Sequence, residues 1–486
     1  MLRLLPFFGC MIAFVWSTQH APFFWDTVQL ASKHAHHFYE QHLRWTPLPT
    51  EIDSGHPPVF GYYLAAVWLV FGKTLAASHW AMLPFLLLNI FLLYRIGLHV
   101  GGNRYACWLL PLVMLDPVVA GQQALVSPDV MLASGFLMAV LGITEKKTLL
   151  VIIGILLLSA ISMRGMMTAA ALFVWLVFVL WMNVPVTAFR KAVKLLLAFL
   201  PGFLWALWFL WWHHAATGWT GYHADSPWAP AFQKAEGVQM FRNMAVVAWR
   251  WLDFGRVFEC GALLFLLLQY GFPRRRGQSV ARQYLALLVI LIVFLTPSAI
   301  LYSNISAHRY FIPCFLALHF LVFLLLTSTT SSNRKSHAPR FIRIFLTCLV
   351  LALASGNLWI YPRGISMGWD ATLAHQPYYA LREQAVAFLE SENIPFASVG
   401  SAFPNLGTGE QLLLNGDQRH FAEKDFARNC YMFTSNIFND FSENDFERLQ
   451  NEWLLIRRFS RAGVWIEIYS RKGRGGEPTD NEHFEE

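Results

Sequence analysis

Charge is what this chain has least of. Asp, Glu, Lys and Arg make up 14% of its 486 residues, where a soluble chain carries about a quarter. Cysteine is scarce as well: Cys10, Cys107, Cys260, Cys314 and Cys348 lie in apolar runs, and only Cys430 stands in polar sequence. That excludes a disulfide framework, and no CxxC or Cys/His spacing marks a metal site. An internal repeat is also lacking. What the chain has instead is 56% hydrophobic and 16% aromatic residues, with a mean hydropathy of +0.42. Long apolar runs recur to about Tyr361, and the texture beyond is ordinary. The composition is that of a polytopic α-helical membrane protein. Its formal charge of +7 then reports topology, and no nucleic acid is implied as a partner.

The stretch Asp53 to Lys73, DSGHPPVFGYYLAAVWLVFGK, decides the topology. A helix needs about 20 apolar residues to cross a bilayer, and residues 59–71 are too few. Residues 4–16 follow Arg3 with no small-residue cleavage site after them, so they read as a first transmembrane helix, with a cleaved signal peptide as the alternative; either way the chain emerges outside the cytoplasm. Further spans are expected near 77–99, 104–120, 129–144, 148–163, 166–183, 193–213, 257–273, 283–302, 309–328 and 341–360. The basic connectors at 101–104, 145–147, 190–194, 274–276 and 333–343 all fall on the cytoplasmic side only if residues 59–71 do not cross. That stretch therefore reads as an interfacial helix on the outer face. The expectation is about eleven spans, with outer connectors at 18–76, 121–128, 214–256 and 303–308.

Residues 1–361 then form the membrane domain, and residues 362–472 a small extracytoplasmic α/β domain. QPYYALREQAVAFLESENI has helical periodicity, FASVGS reads as a strand, and SENDFERLQNE opens with a capping signature. WLLIRRFSRAGVWIEIYSRK reads as a hairpin around residues 460–463. The tail, 473–486, has the composition of disorder.

Ionisable residues inside or beside a membrane are expensive, which makes them functional candidates. Here they stand at the outer ends of the expected spans: Asp26 in FFWDT, Asp53 and His56 in DSGHPP, Asp129 in SPDV, Arg164 in ISMRGMM, and His308 and Arg309 in SAHRYF. Carboxylates and cations gathered at one membrane face suit a reaction on an anionic lipid headgroup. The ordered set resembles the GT-C superfamily of membrane glycosyltransferases. The branch is that of the protein O-mannosyltransferases (family 39) and the aminoarabinose transferases. The resemblance covers about residues 1–330.

That resemblance implies inverting transfer of a sugar from a polyprenyl-phosphate carrier at the outer, periplasmic face of the cytoplasmic membrane. The acceptor would be lipid A, a polysaccharide, another glycolipid or a protein. Asp26 maps onto the carboxylate expected to act as general base, a role worth about 10²–10⁴-fold in rate. Capping of a helix is its ordinary alternative. His56 stands where relatives carry His or Lys before Pro-Pro, and it is expected to meet the donor phosphate or the acceptor, with a hydrogen-bonding loop histidine as the alternative. Gly55 occupies a position that is acidic in some relatives, with Asp53 as a substitute. Asp129 matches the second-loop acid, where an N-cap is the alternative. Arg164, His308 and Arg309 are expected at the substrate, the two arginines on the carrier phosphate, with interfacial snorkelling as their alternative. Asp26 and Asp129 could share a divalent cation, although no spacing demands one. The competing class is a transporter or flippase of a lipid-linked saccharide. Repeated halves and midplane charges would favour it, and neither is found here.

Overall fold

The protein is described by a computed structural model over residues 2–183, 189–226, 228–270, 279–328, 339–362, 365 and 367–472. The basic connector at 274–276, most of that at 333–343 and the tail from 473 lie outside the described residues.

Among the described residues, seven segments are long and apolar enough to cross a membrane: Leu75–Met114, Pro128–Glu145, Met163–Met182, Arg190–Thr217, Val280–Leu301, His308–Ser328 and Pro339–Gly356. Leu2–Thr18, Val59–Phe71 and Thr148–Ile161 are shorter apolar helices. The difference from eleven has physical reasons. Leu75–Met114 is two legs, because Gly102 at φ 65° breaks the helix and the chain doubles back. Gly97 then faces Ala106 so closely that a Cβ would lie 2.6 Å from its carbonyl oxygen. The expected span at 104–120 is therefore a broken return leg, Leu109–Met114 followed by Pro117–Ala124. The expected span at 257–273 is the helix Arg256–Tyr270, which carries Arg256 and Glu259 in its first turn.

The expected outer loop at 18–76 holds more structure than its sequence suggested. A helix opens at Asp26, passes through a π-helical stretch at Val28–Lys33 and continues as His34–Glu40. The apolar run after the double proline is a 13-residue helix, Val59–Phe71. At 1.5 Å per residue it reaches about 20 Å, short of a hydrocarbon core of about 30 Å.

Close packing holds the bundle together. Pro128–Glu145 and Thr148–Ile161 meet at Gly135 and Gly154, where a Cβ on either would lie under 3 Å from the other's carbonyl oxygen. Small residues let helix backbones approach in this way where lipid offers no hydrophobic drive. His308–Ser328 runs through the middle, with every residue from Ile312 to Thr327 buried. Trp181, Trp208, Trp211 and Trp249 are exposed, as an aromatic belt requires.

The C-terminal part carries a five-stranded sheet of order β2-β1-β3-β5-β4. Its strands are β1 Val399–Ser401, β2 Ala422–Glu423, β3 Tyr431–Ser435, β4 Trp453–Arg461 and β5 Val464–Arg471. The β4–β5 hairpin turns at Ala462 and Gly463, both at positive φ, as a tight hairpin needs. Helices Pro377–Ser391 and Glu443–Glu452 accompany the sheet, the second opened by a capping box of Ser442 and Asp445. All six cysteines are free, so packing alone holds these elements. The C-terminal part docks on the segment around Asp26: the Phe23 amide donates to the Leu412 carbonyl (2.9 Å). Ser32 donates to the Gln411 carbonyl (2.6 Å), and Glu410 pairs with His36 and Lys73.

Candidate active site

Asp26 is the first residue of its helix, and Trp25 at φ 54° turns the chain into it. Phe24 anchors that turn by stacking on His375 with ring centres 4.6 Å apart. The Asp26 carboxylate does not cap its helix; it pairs with the Arg309 guanidinium. Asp129 does not cap either. Ser127 is the N-cap of Pro128–Glu145, its side chain accepting the Asp129 amide, which frees the Asp129 carboxylate. One Asp129 oxygen lies 3.1 Å from Arg164 and the other 3.2 Å from Arg309. The two arginines are tied together as well. Arg164 donates to the Arg309 carbonyl at 3.3 Å, and both guanidiniums lie over the Tyr310 ring, at 4.3 and 4.9 Å. The arginines thus do not snorkel.

A residue the sequence reading missed completes the cluster. Asp370, from the segment after the last apolar helix, sets Oδ2 2.9 Å from Arg309 Nε. Arg309 therefore bridges three carboxylates, those of Asp26, Asp129 and Asp370. Asp370 is buried, and burial pushes its carboxyl above the usual range, against the pull of Arg309. Its only signal in the sequence is a lone acid in an apolar stretch, GWDATLA.

His56 opens onto the same place. It lines a cavity of about 130 Å³ together with Asp26, Arg164, Arg309, Tyr310, Trp228, Phe232 and Tyr302. Its Nδ1 has no hydrogen-bond partner among the described residues. Burial, with Arg164 nearby, lowers its pKa to about 3, so the ring is neutral at physiological pH. It offers hydrogen bonds to a ligand, not a positive charge.

Two expected site residues are placed elsewhere. Asp53 is buried with its carboxylate in use: one oxygen accepts the Gly55 amide (2.8 Å) and the other meets His213 Nε2 (2.9 Å). Ser226 donates to its carbonyl at 3.2 Å. Asp53 thereby locks the His56 loop to the 213–226 segment, and it does not line the cavity. His308 turns away from Arg309 into a neighbouring network, with Nε2 2.8 Å from Asp253 and 3.3 Å from Arg250. Tyr361 donates to the same Asp253. Deeper still, Asp116 pairs with Arg256 (2.9 Å) and His319 with Glu259 (2.7 Å), all four buried. For the divalent cation considered above, Arg309 stands between Asp26 and Asp129. Among the described residues no group of three or more His, Cys, Asp or Glu is arranged to hold a metal.

Apolar helices closed at one end by carboxylates and arginines, with a small C-terminal sheet beyond, define a polytopic helical fold with a C-terminal α/β part. Two solved structures of ArnT from Cupriavidus metallidurans share it. The one bound to undecaprenyl phosphate matches with a TM-score of 0.53 over 96% of this chain and 97% of its own. The apo structure matches at 0.51 over 96% and 98%. Identity is 11% in both, so the likeness is one of fold. No protein-family model and no curated protein matches the chain.

Proposed function

We propose that the protein is an inverting glycosyltransferase that moves a sugar from a polyprenyl-phosphate carrier to an acceptor at the outer face of the cytoplasmic membrane. The observation that carries this reading is the convergence of Asp26, Asp129, Arg164 and Arg309 beside one cavity. The site stands in a fold whose solved neighbour, ArnT, holds undecaprenyl phosphate.

In this reading Arg164 and Arg309 hold the carrier phosphate, since guanidinium pairs bidentately with phosphate oxygens. As the bond between anomeric carbon and phosphate oxygen breaks, charge grows on the phosphate, and fixed cations stabilise it. The acceptor oxygen or nitrogen attacks the opposite face of that carbon and gives its proton to Asp26. The Arg309 contact keeps Asp26 aimed until then. Asp129 fixes the spacing of the two arginines, and His56 offers neutral hydrogen bonding to the sugar or the acceptor. The acceptor is lipid A, a polysaccharide, another glycolipid or a protein.

The test is mass spectrometry of envelope glycans and polyprenyl-phosphate sugars from cells with and without the protein, and with Asp26→Asn. Loss of one glycan modification in both the deletion and the variant is expected. An unchanged glycan profile in the deletion refutes the reading. Movement of a lipid-linked saccharide by the purified protein, without transfer, replaces it by a flippase.

A further inference from the structure

The charges at the site do not balance. Three carboxylates, Asp26, Asp129 and Asp370, surround two guanidiniums, Arg164 and Arg309. With every group ionised the cluster carries one excess negative charge, in a place built to receive a phosphate, which is also negative. Burying uncompensated charge is costly, and a titratable group there takes up or releases a proton to avoid it.

Which group holds the proton follows from the contacts. Asp129 touches both guanidiniums. Asp26 touches one, and its side chain is 19% exposed, so water also serves it. Asp370 touches one guanidinium, at Nε only, and its side chain is 5% exposed. Asp129 is buried deeper but has two cations, and Asp26 has one cation but also water; Asp370 alone combines a single close guanidinium with near-complete burial. The other charged or titratable groups facing it do not change that order. Arg250 also acts on Asp370, but it faces Asp253 at 3.7 Å and His308 at 3.3 Å, and with Asp253 it adds no net charge. His308 presents to the backbone at Gly368 an Nδ1 with no hydrogen-bond partner among the described residues. His375, on the same segment, is bonded to the Thr372 carbonyl. Tyr310 lies beneath the guanidiniums and His56 across the cavity.

The segment that delivers Asp370 is firmly held. Gln122 donates to the Asp370 carbonyl at 2.7 Å. Gly121 packs against the same backbone so closely that a Cβ would sit 2.9 Å from the Asp370 carbonyl oxygen. The carboxyl is thus fixed by the backbone and not by its own charge.

We propose that Asp370 carries a proton at neutral pH. As a neutral acid it stands against Arg309 Nε at 2.9 Å and positions that guanidinium, leaving the two arginines balanced by Asp26 and Asp129 before the carrier phosphate enters. Asp370 acts through Arg309 and is a positioning residue. The arrangement separates two carboxyl roles: Asp26 stays ionised as the base while Asp370 stays protonated, the usual way one site runs both forms. This inference rests on the proposed reading only where it names the phosphate.

Two measurements test it. The first needs no lipid: at pH 7, infrared difference spectroscopy of wild type against Asp370→Asn should show a protonated carboxylic acid that the variant lacks. Absence of that band overturns the inference, whatever the protein binds. The second uses the methyl ester of undecaprenyl phosphate in nanodiscs, a phosphodiester with no second ionisation. Wild-type affinity should be flat near neutral pH and then fall by up to about tenfold per pH unit once Asp370 ionises. Asp370→Asn should bind as tightly at pH 7 and lose that fall. A parallel fall in the variant assigns the proton elsewhere and overturns the inference. Failure of both proteins to bind the lipid, with the infrared band present, refutes the phosphate-binding reading and leaves the protonated Asp370 standing.

Discussion

Replacing Arg309 by alanine gives the sharpest test of how the site is held. The guanidinium contacts Asp26, Asp129 and Asp370, whose side chains are 19%, 1% and 5% exposed. Without it Arg164 alone faces the group. Even with Asp370 neutral, two carboxylates then share one cation, and one buried negative charge is left over. Stranding one member of a buried ion pair costs about 3–5 kcal/mol, and the partial exposure of Asp26 places the expected loss toward the lower end. The pH dependence has a definite sign. A carboxyl whose folded-state pKa is raised holds its proton more tightly when folded. The stability of the variant should therefore decline as pH rises from the unfolded value of about 4 through the raised value, and level off above it. The deficit against wild type is then largest at neutral pH and shrinks in acid. Adding Asp129→Asn removes the stranded charge and should recover part of the loss. The assay is unfolding in nanodiscs between pH 5 and 8, read as midpoint and as protease resistance. A variant as stable as wild type at pH 7, or a deficit that grows toward acid, refutes the reasoning.

Other outcomes follow from the same contacts. Asp26→Asn keeps the volume and a partner for Arg309, so the fold should persist while sugar transfer falls by about 10²–10⁴-fold; retained transfer in reconstituted membranes removes Asp26 as base. Gly121→Ala places a methyl against the Asp370 backbone, and it should reduce transfer and shift the Asp370 infrared band with little change in expression. Ser127→Ala removes the cap of Pro128–Glu145 and should cost about 1 kcal/mol, measurable as a lowered unfolding midpoint. Glu410→Ala releases His36 and Lys73, and hydrogen exchange should then rise at residues 32–40 and 409–416 before any other part of the protein loosens.

Much of the membrane part was legible because its signals are local. Apolar runs, basic connectors and the short helix after His56 are read within windows of about 20 residues. Asp26, Asp129, Arg164 and Arg309 stood out because a charge beside a membrane is conspicuous. Their neighbours were harder to read. His308 and Arg309 are adjacent in sequence but lie in a 3₁₀ turn, where successive side chains point about 120° apart. One therefore enters the Asp253 network and the other the site. Asp53 resembled a ligand group until the fold brought His213 to it, and Asp370 lies in a segment whose sequence carries no motif.

By itself the sequence determined that the chain lives in a membrane, where most helices begin, and which charged residues have no ordinary reason to be there. Those are consequences of solvation, which each short stretch settles alone. The tertiary structure decided which charges meet. Ion pairing depends on a few ångströms between residues far apart in the chain, and only the packing of the helices and the docking of the C-terminal part set those distances. That is why three carboxylates on one guanidinium, and the proton this implies, came from the fold and not from the sequence.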